Sequence, residues 1–418
     1  MKKEPNENKN NKKQEKENNN QGLHLDFIIN NSFENMFKYK KSQDSQDIIT
    51  HLPHFFNNEK SIFYLKNLEY NKVVHCFDQI EIKDNCETLF RARKSKNDYY
   101  ELIYPIVKMF FSEYKDIKKL DKRMWYLLES DKKDFIYETN NEEYNLEQND
   151  IIKFGQRKYE IIEKHINNQI KKENNLSDSI FYKYYPVYEN NNNTKIICSI
   201  CNEGNTNEKN PKIKLCKCEK YTHYNCLKQK VKNIGIKKNK NENVTSYICK
   251  KFECNECHSP YPYTFYISFE SGVENKYSLM DLEIPENDDY IILESLNTLE
   301  KENKHNIKTI FVIKLSDNEI KIGNAYFNDI IDEDDSVSRE HGILKYDKSN
   351  GVLKIINKGR FGTSVLIRNN FKLKMNKKLY LQIGNVYIKA EYKGGKNIEQ
   401  EDNSISYSNE NTTTDISV

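Results

Sequence analysis

Nowhere do the 418 residues run to eighteen consecutive apolar side chains, so no transmembrane helix is expected. The richest apolar stretch, 102–111, is broken by Pro105 and Lys108. Residues 1–22, almost all Lys, Glu, Asn and Gln, hold no apolar segment of the kind a signal peptide needs and read as a disordered tail. Charge of one sign is missing too. The 66 basic and 63 acidic side chains leave a formal net charge of +3, so no global field draws the chain to nucleic acid or membrane, and neither partner is expected. No Gly-rich phosphate loop, nucleophile–base pair or pair of catalytic carboxylates stands out in the sequence, and no catalytic residue is assigned. With 31% charged residues and a mean hydropathy of −0.90, apolar material for large cores is short, and much of the chain is expected to be loop or linker.

Cysteine is scarce outside one window: eight of the ten lie between Cys198 and Cys257. There, Cys198-x2-Cys201 and Cys254-x2-Cys257 bracket Cys216, Cys218, His223 and Cys226. These are eight soft donors, the number that two tetrahedral zinc ions need. Clustered thiols that hold metal must stay reduced, which places the expected location in the cytoplasm or nucleus, not outside the cell. All eight positions are filled, so neither metal keeps the open coordination position that catalysis requires. Cys249 has no Cys-x2-Cys partner and reads as a spare thiol, His258 reads as a loop histidine, and Lys237–Lys240 reads as a solvated loop.

Over residues 196–262, the runs Cys198-Ser-Ile-Cys201, Leu215-Cys-Lys-Cys218, His223-Tyr-Asn-Cys226-Leu227 and Phe252-Glu-Cys-Asn-Glu-Cys257 resemble a RING-CH (RING-variant) zinc finger. The resemblance implies interleaved ligands, with Cys198, Cys201, His223 and Cys226 on one zinc and Cys216, Cys218, Cys254 and Cys257 on the other. Such cross-bracing stands in for a large core, because about 10–16 kcal/mol of binding free energy per structural zinc becomes folding free energy. It also implies a RING-type ubiquitin-protein ligase whose small apolar groove docks a ubiquitin-conjugating enzyme, with Ile200 as the contact residue. Two departures weaken that groove: Lys230 stands where RING-CH fingers carry Trp, and Asn255, not Pro, follows Cys254. Only Glu219 to Thr222 separate Cys218 from His223, a short spacing closer to a PHD finger, which also often has an aromatic where Phe252 sits. The single residue between Cys216 and Cys218, and Leu227 after Cys226, suit RING-CH better. A PHD-like histone-tail reader stands as a further alternative.

From about Tyr290 onward the chain turns to short β-branched and aromatic runs separated by turn signals such as Asn350-Gly351, the pattern of an all-β sandwich. Within it, Ile322-Gly323, Ser336-Val-Ser338-Arg339-Glu-His341 and Arg360-Phe-Gly362-Thr363 resemble, in order and spacing, the loops of an FHA domain. That resemblance implies a phosphothreonine-containing protein as partner, held by Gly323, Asn324, Ser338, Arg339 and Arg360, with His341 bracing the loop. A dianionic phosphate wants several converging donors. The family's phosphate-clamping arginine, however, is Asn324 here, a loss of a charge-assisted hydrogen bond worth about 1.5–3 kcal/mol.

The hairpin pattern of Tyr144–Ile161, with Gly155 at its turn, recurs in Leu379–Ile388 around Gly384, and both resemble the last hairpin of an FHA sandwich. The expected chain is therefore multidomain and mainly β. A disordered tail (1–22) precedes a β-rich domain (23–165), for which a degenerate FHA-like fold and an unrelated β fold are the two readings, and a linker (166–194). A cross-braced two-zinc finger of small α+β type follows (195–262), then an FHA-like sandwich with its leading segment (263–395) and a tail (396–418). An FHA domain joined to a RING-variant finger without membrane spans resembles an expanded set of ciliate proteins. The function read from this layout is a zinc-binding protein-interaction adaptor.

Overall fold

A computed structural model of the chain describes residues 22–29, 48–54, 62–67, 72–76, 86–94, 99–103, 124–128, 143–166, 196–218, 220–268, 274–296, 298–299, 306–359, 362–367, 371–375, 377–384 and 386–393. Both expected tails and the linker lie outside these residues, apart from Gly22 and Ile166. No helix among the described residues is long and apolar enough to cross a membrane.

Alternation of side chains sets the strands. In Val352–Asn357, Leu353, Ile355 and Asn357 are buried and their neighbours half-buried, the period of two of a sheet with one covered face. Met124–Leu127 and Ile151–Phe154 are buried at every position, as central strands covered on both faces are.

The strands form a repeat. In the N-terminal sandwich one sheet runs Ile48–His54, Gly22–Ile29, Val386–Lys393, Lys378–Ile383, Met124–Leu127, and the other runs Lys72–Cys76, Ile62–Asn67, Cys86–Lys94, Tyr99–Ile103, Phe371–Lys374. In the C-terminal sandwich the corresponding orders are Asn306–Lys314, Tyr290–Leu296, Arg157–His165, Ile151–Phe154, Thr363–Leu366, and Ile330–Ile331, Ile320–Gly323, Gly342–Asp347, Val352–Asn357, Glu143–Leu146. The orders match position by position. Each half of the chain builds most of its own sandwich and sends its last three strands to the other. Thr363–Leu366 pairs antiparallel with Met124–Leu127, with Val365 opposite Tyr126, and joins the first-named sheet of each sandwich into one. Segments 23–165 and 263–395 therefore do not sort into two contiguous sandwiches; their final hairpins have changed places. A single apolar core links them, from Leu23 and Leu25 through Phe154 and Phe311 to Ile388 and Ala390.

The cysteine-rich segment leaves and rejoins the C-terminal sandwich between two paired strands, since Arg157–His165 lies antiparallel to Tyr290–Leu296 with Glu160 opposite Glu294. Its one helix among the described residues, Tyr224–Ile234, buries Leu227 and Val231, one turn apart. It ends at Gly235, whose φ of 91° takes the chain into the hairpin Ile236–Lys240/Val244–Lys250. That hairpin extends the large sheet by pairing Val244–Lys250 with Asn306–Lys314, so Lys237–Lys240 is an exposed edge strand instead of a loop. The segment is small and α+β, as expected, but metal does not replace an apolar core. Phe252, Phe265, Tyr277, Leu227 and Val231 form one cluster with Ile292 and Ile310 of the adjoining sheet. Truncating a buried Phe in such a cluster costs about 3–5 kcal/mol, so the finger is packed onto the sandwich, not strung from it.

Candidate metal centres and ligand loops

One knuckle turn, Cys198 to Cys201, and the helix start bring the first donor set together. Cys198, Cys201, His223 and Cys226 present ligand atoms within 4.8 Å of one another, and so do Cys216, Cys218, Cys254 and Cys257. Both sets could hold a metal ion. Pairs from the two sets alternate along the chain, which is the interleaving that cross-bracing requires. His223 turns Nδ1 toward the set, 3.2 Å from Cys201 Sγ, while Nε2 lies 2.5 Å from the carbonyl oxygen of Asn205. A proton on Nε2 donates to that carbonyl and leaves Nδ1 bare for a metal. The backbone N–H groups of Ile200 and His223 donate to Cys198 Sγ at 3.4 and 3.3 Å, and although burial would raise its pKa, these and other hydrogen bonds lower it. In the second set, burial likewise works to raise Cys257, but contact with Ser259, whose Oγ is 3.2 Å away, brings its pKa down to about 6.

Lys212 was not singled out from sequence. It is wholly buried, and its ammonium donates to the carbonyls of Ile196 (2.8 Å) and Gly204 (2.7 Å), tying the first knuckle to the next strand. No sequence pattern separates it from the many surface lysines. Cys249 belongs to neither donor set; it is buried in the finger core, where desolvation pushes its pKa up to about 11. His258 also stands apart, with Nδ1 3.0 Å from the carboxylate of Glu253. Ile200 is exposed on the first knuckle, beside an exposed Ile197.

The second site is the loop end of the C-terminal sandwich. Asn324 N–H donates to the carbonyl of Ser338 at 2.9 Å, and Ala325 N–H to that of Arg339 at 3.1 Å, so the segments expected to act together do meet. The approach is close enough that a Cβ on Gly323 would stand 2.4 Å from the Arg339 carbonyl oxygen, which only glycine avoids. Arg339 is exposed, and Arg360 lies outside the described residues. The Asn324 side-chain amide donates back to the Asp334 carbonyl at 3.2 Å. His341 is fully buried; Nδ1 accepts from Ser338 N–H, and Nε2 is 2.9 Å from the Gly362 carbonyl, which fixes the neutral tautomer. Burial lowers its pKa to about 4.

What the sequence hid is the support of this end. The Gly155–Gln156 turn, from the exchanged N-terminal hairpin, seats on the Asp332–Ser336 loop. Gln156 N–H donates to Ser336 Oγ at 2.8 Å, and a Cβ on Gly155, where φ is 59°, would stand 2.1 Å from the Ser336 carbonyl oxygen. Arg157 Nε donates to Asp332 Oδ2 at 2.7 Å, and the hydroxyl of buried Tyr159 donates to the same carboxylate. Desolvation and then the Asp332 charge hold the Tyr159 pKa well above its ordinary value. Exposed Glu333 and Asp335 and half-buried Asp334 make the loop acidic.

No curated protein and no solved structure matches the chain. Residues 320–388 match the FHA domain family. The match crosses the exchange: up to Leu366 it follows the C-terminal sandwich, and from Phe371 it follows strands that complete the N-terminal one. The chain carries an FHA domain, and that domain is closed by residues from the other half of the sequence.

Proposed function

We propose that this protein is a zinc-stabilised interaction adaptor whose FHA domain reads phosphothreonine. The observation that carries it is the stitching of Asn324 and Ala325 to Ser338 and Arg339, with His341 locking the second segment to Gly362. Ser338 and Arg339 supply a hydroxyl and a cation to a phosphate, and Asn324 supplies no charge where a guanidinium would be worth about 1.5–3 kcal/mol. Zinc fits the donor sets: Cys218 and Cys254 Sγ are 3.7 Å apart, against the roughly 3.8 Å edge of a tetrahedron with Zn–S bonds of about 2.3 Å. Bound zinc supplies folding free energy and no chemistry, since four protein donors fill each site.

The test is calorimetry on the full chain, which is needed because residues 143–165 complete this sandwich. Asn324→Arg is expected to strengthen binding to a phosphothreonine peptide pool about tenfold or more, with unphosphorylated peptides unchanged. Ser338→Ala should remove the gain. Absence of phosphopeptide binding in both versions overturns the phosphate reading.

The exposure of Ile200 and Ile197 beside the first donor set favours a second reading, a RING-type ubiquitin ligase. Chain formation with a panel of conjugating enzymes, lost in Ile200→Ala, would establish it. Lys230 and Asn255 argue for weak or absent activity.

A further inference from the structure

Charge in this chain is segregated. Between Pro211 and Lys251 twelve lysines stand against two acidic residues, Glu219 and Glu242, whereas from Glu253 to Asp347 twenty-one acidic residues stand against eight basic ones. A compositional drift toward lysine would act on both stretches alike, and the net charge of +3 conceals the contrast. Residues 221–241 hold six of the lysines and no acid at all.

The structure carries these six on two consecutive elements, a helix and the edge strand that follows it. Lys228, Lys230 and Lys232 belong to the helix Tyr224–Ile234, which passes through Gly235 into Ile236–Lys240, the edge strand carrying Lys237, Lys238 and Lys240. Lys228 pairs with Asp281 and Lys238 with Glu283. The other four make no salt bridge with a described residue, although Lys230 feels the charge of Glu256 and Lys240 that of Glu283. Lys232, Lys237 and Lys240 are exposed and Lys230 half-buried, interleaved with the exposed amides of Gln229, Asn233 and Asn239.

From this acid-free run of lysines on two consecutive elements we propose a nucleic-acid contact: the helix and edge strand bind the phosphate backbone of a double-stranded nucleic acid, without reading its sequence. Lysine ammonium groups with neighbouring Asn and Gln amides are suited to phosphate oxygens. The stretch 221–241 has no arginine to fork onto a base edge and no exposed aromatic ring to stack on an unpaired base. An acidic peptide strand is the lesser fit, because long lysines on both faces of an edge strand obstruct strand addition. The contact does not depend on the phosphothreonine reading and lies on a different segment of the chain.

Fluorescence anisotropy of the zinc-loaded 418-residue chain with a labelled DNA duplex of about 20 base pairs tests this, with salt raised from about 50 to 200 mM. Four phosphate contacts predict a fall in affinity of roughly a hundredfold over that range. The quadruple variant Lys230→Gln, Lys232→Gln, Lys237→Gln, Lys240→Gln should bind at least about tenfold more weakly with a flatter salt dependence, while zinc content, circular dichroism and phosphopeptide binding stay unchanged. Replacing Lys348, Lys374, Lys377 and Lys378 by Gln, all exposed lysines elsewhere, should leave duplex binding intact. If the quadruple variant does not fold, the pairs Lys230→Gln/Lys232→Gln and Lys237→Gln/Lys240→Gln must each weaken binding. Lack of duplex binding at low salt, equal binding by the variants, or tight binding of polyglutamate with none of DNA overturns the proposal.

Discussion

The ammonium of Lys153 donates to Oε1 of Gln382 at 3.0 Å and sits 4.6 Å from the centroid of the Trp125 ring. Lys153 is buried, as are both partners. The two hydrogen-bonded residues lie on the two exchanged hairpins, and Trp125 on the strand at the seam between the sandwiches. A buried lysine survives only where acceptors and a π face offset its desolvation. Lys153→Met should therefore destabilise the protein by about 1–3 kcal/mol by leaving the Gln382 oxygen without its donor. Lys153→Met/Gln382→Leu should recover much of that. Trp125 is the only tryptophan, so urea titration followed by its fluorescence reads the seam directly; an unchanged midpoint in Lys153→Met would refute the claim.

The exchange makes a second expectation. Arg157 and Asp332 meet only because the N-terminal hairpin completes the C-terminal sandwich. A double-mutant cycle on Arg157→Ala and Asp332→Ala should give a coupling of about 0.5–3 kcal/mol despite their separation in sequence. Independent, additive effects would show that the hairpin is placed elsewhere.

His341 predicts an acid sensitivity. Its folded pKa of about 4 lies below the ordinary value of 6.5 for histidine, so the unfolded chain binds a proton between those values and the native state does not. Its contribution is fully present above pH 6.5 and is lost as pH falls toward 4, about 3 kcal/mol in all. Denaturant midpoints measured across this window should slope with pH in the native protein and more weakly in His341→Gln. Equal slopes would exclude His341 as their source.

Metal removal should reach beyond the finger. The cluster around Phe252 and Phe265 includes Ile292 and Ile310 of the sheet, so loss of the two metal sites uncovers that outer face. Chelation, or Cys201→Ser together with Cys254→Ser, is expected to lower hydrogen-exchange protection in Tyr290–Leu296 as well as in the knuckles. Full protection of that strand in metal-free protein would mean that finger and sandwich fold independently.

Both sites were legible in the sequence to different depths. The eight donors and their partition followed from Cys-x2-Cys spacing and family likeness, because metal ligands must lie at fixed short separations on knuckle turns. The Ser338–His341 run and Gly323 located the FHA loops for a similar reason, since a glycine with another backbone 2.4 Å from its would-be Cβ leaves a mark that no other residue can supply. The alternating hairpins around Gly155 and Gly384 are legible as strands and as copies of one another.

Their destinations were not legible. A period of two states which face of a strand is buried and says nothing of which sheet buries it, so two hairpins of the same pattern are interchangeable as text. Only tertiary pairing decided that Ile151–His165 closes the second sandwich and Lys378–Lys393 the first. The same limit hid Lys212 and Arg157, whose partners are a pair of carbonyls and a distant carboxylate. Sequence alone determined the two donor sets that could hold metal, the strand composition and the FHA loops, which are local chemistry. The exchange, the shared finger core and the edge strand of lysines are contacts between remote segments, and packing decided them.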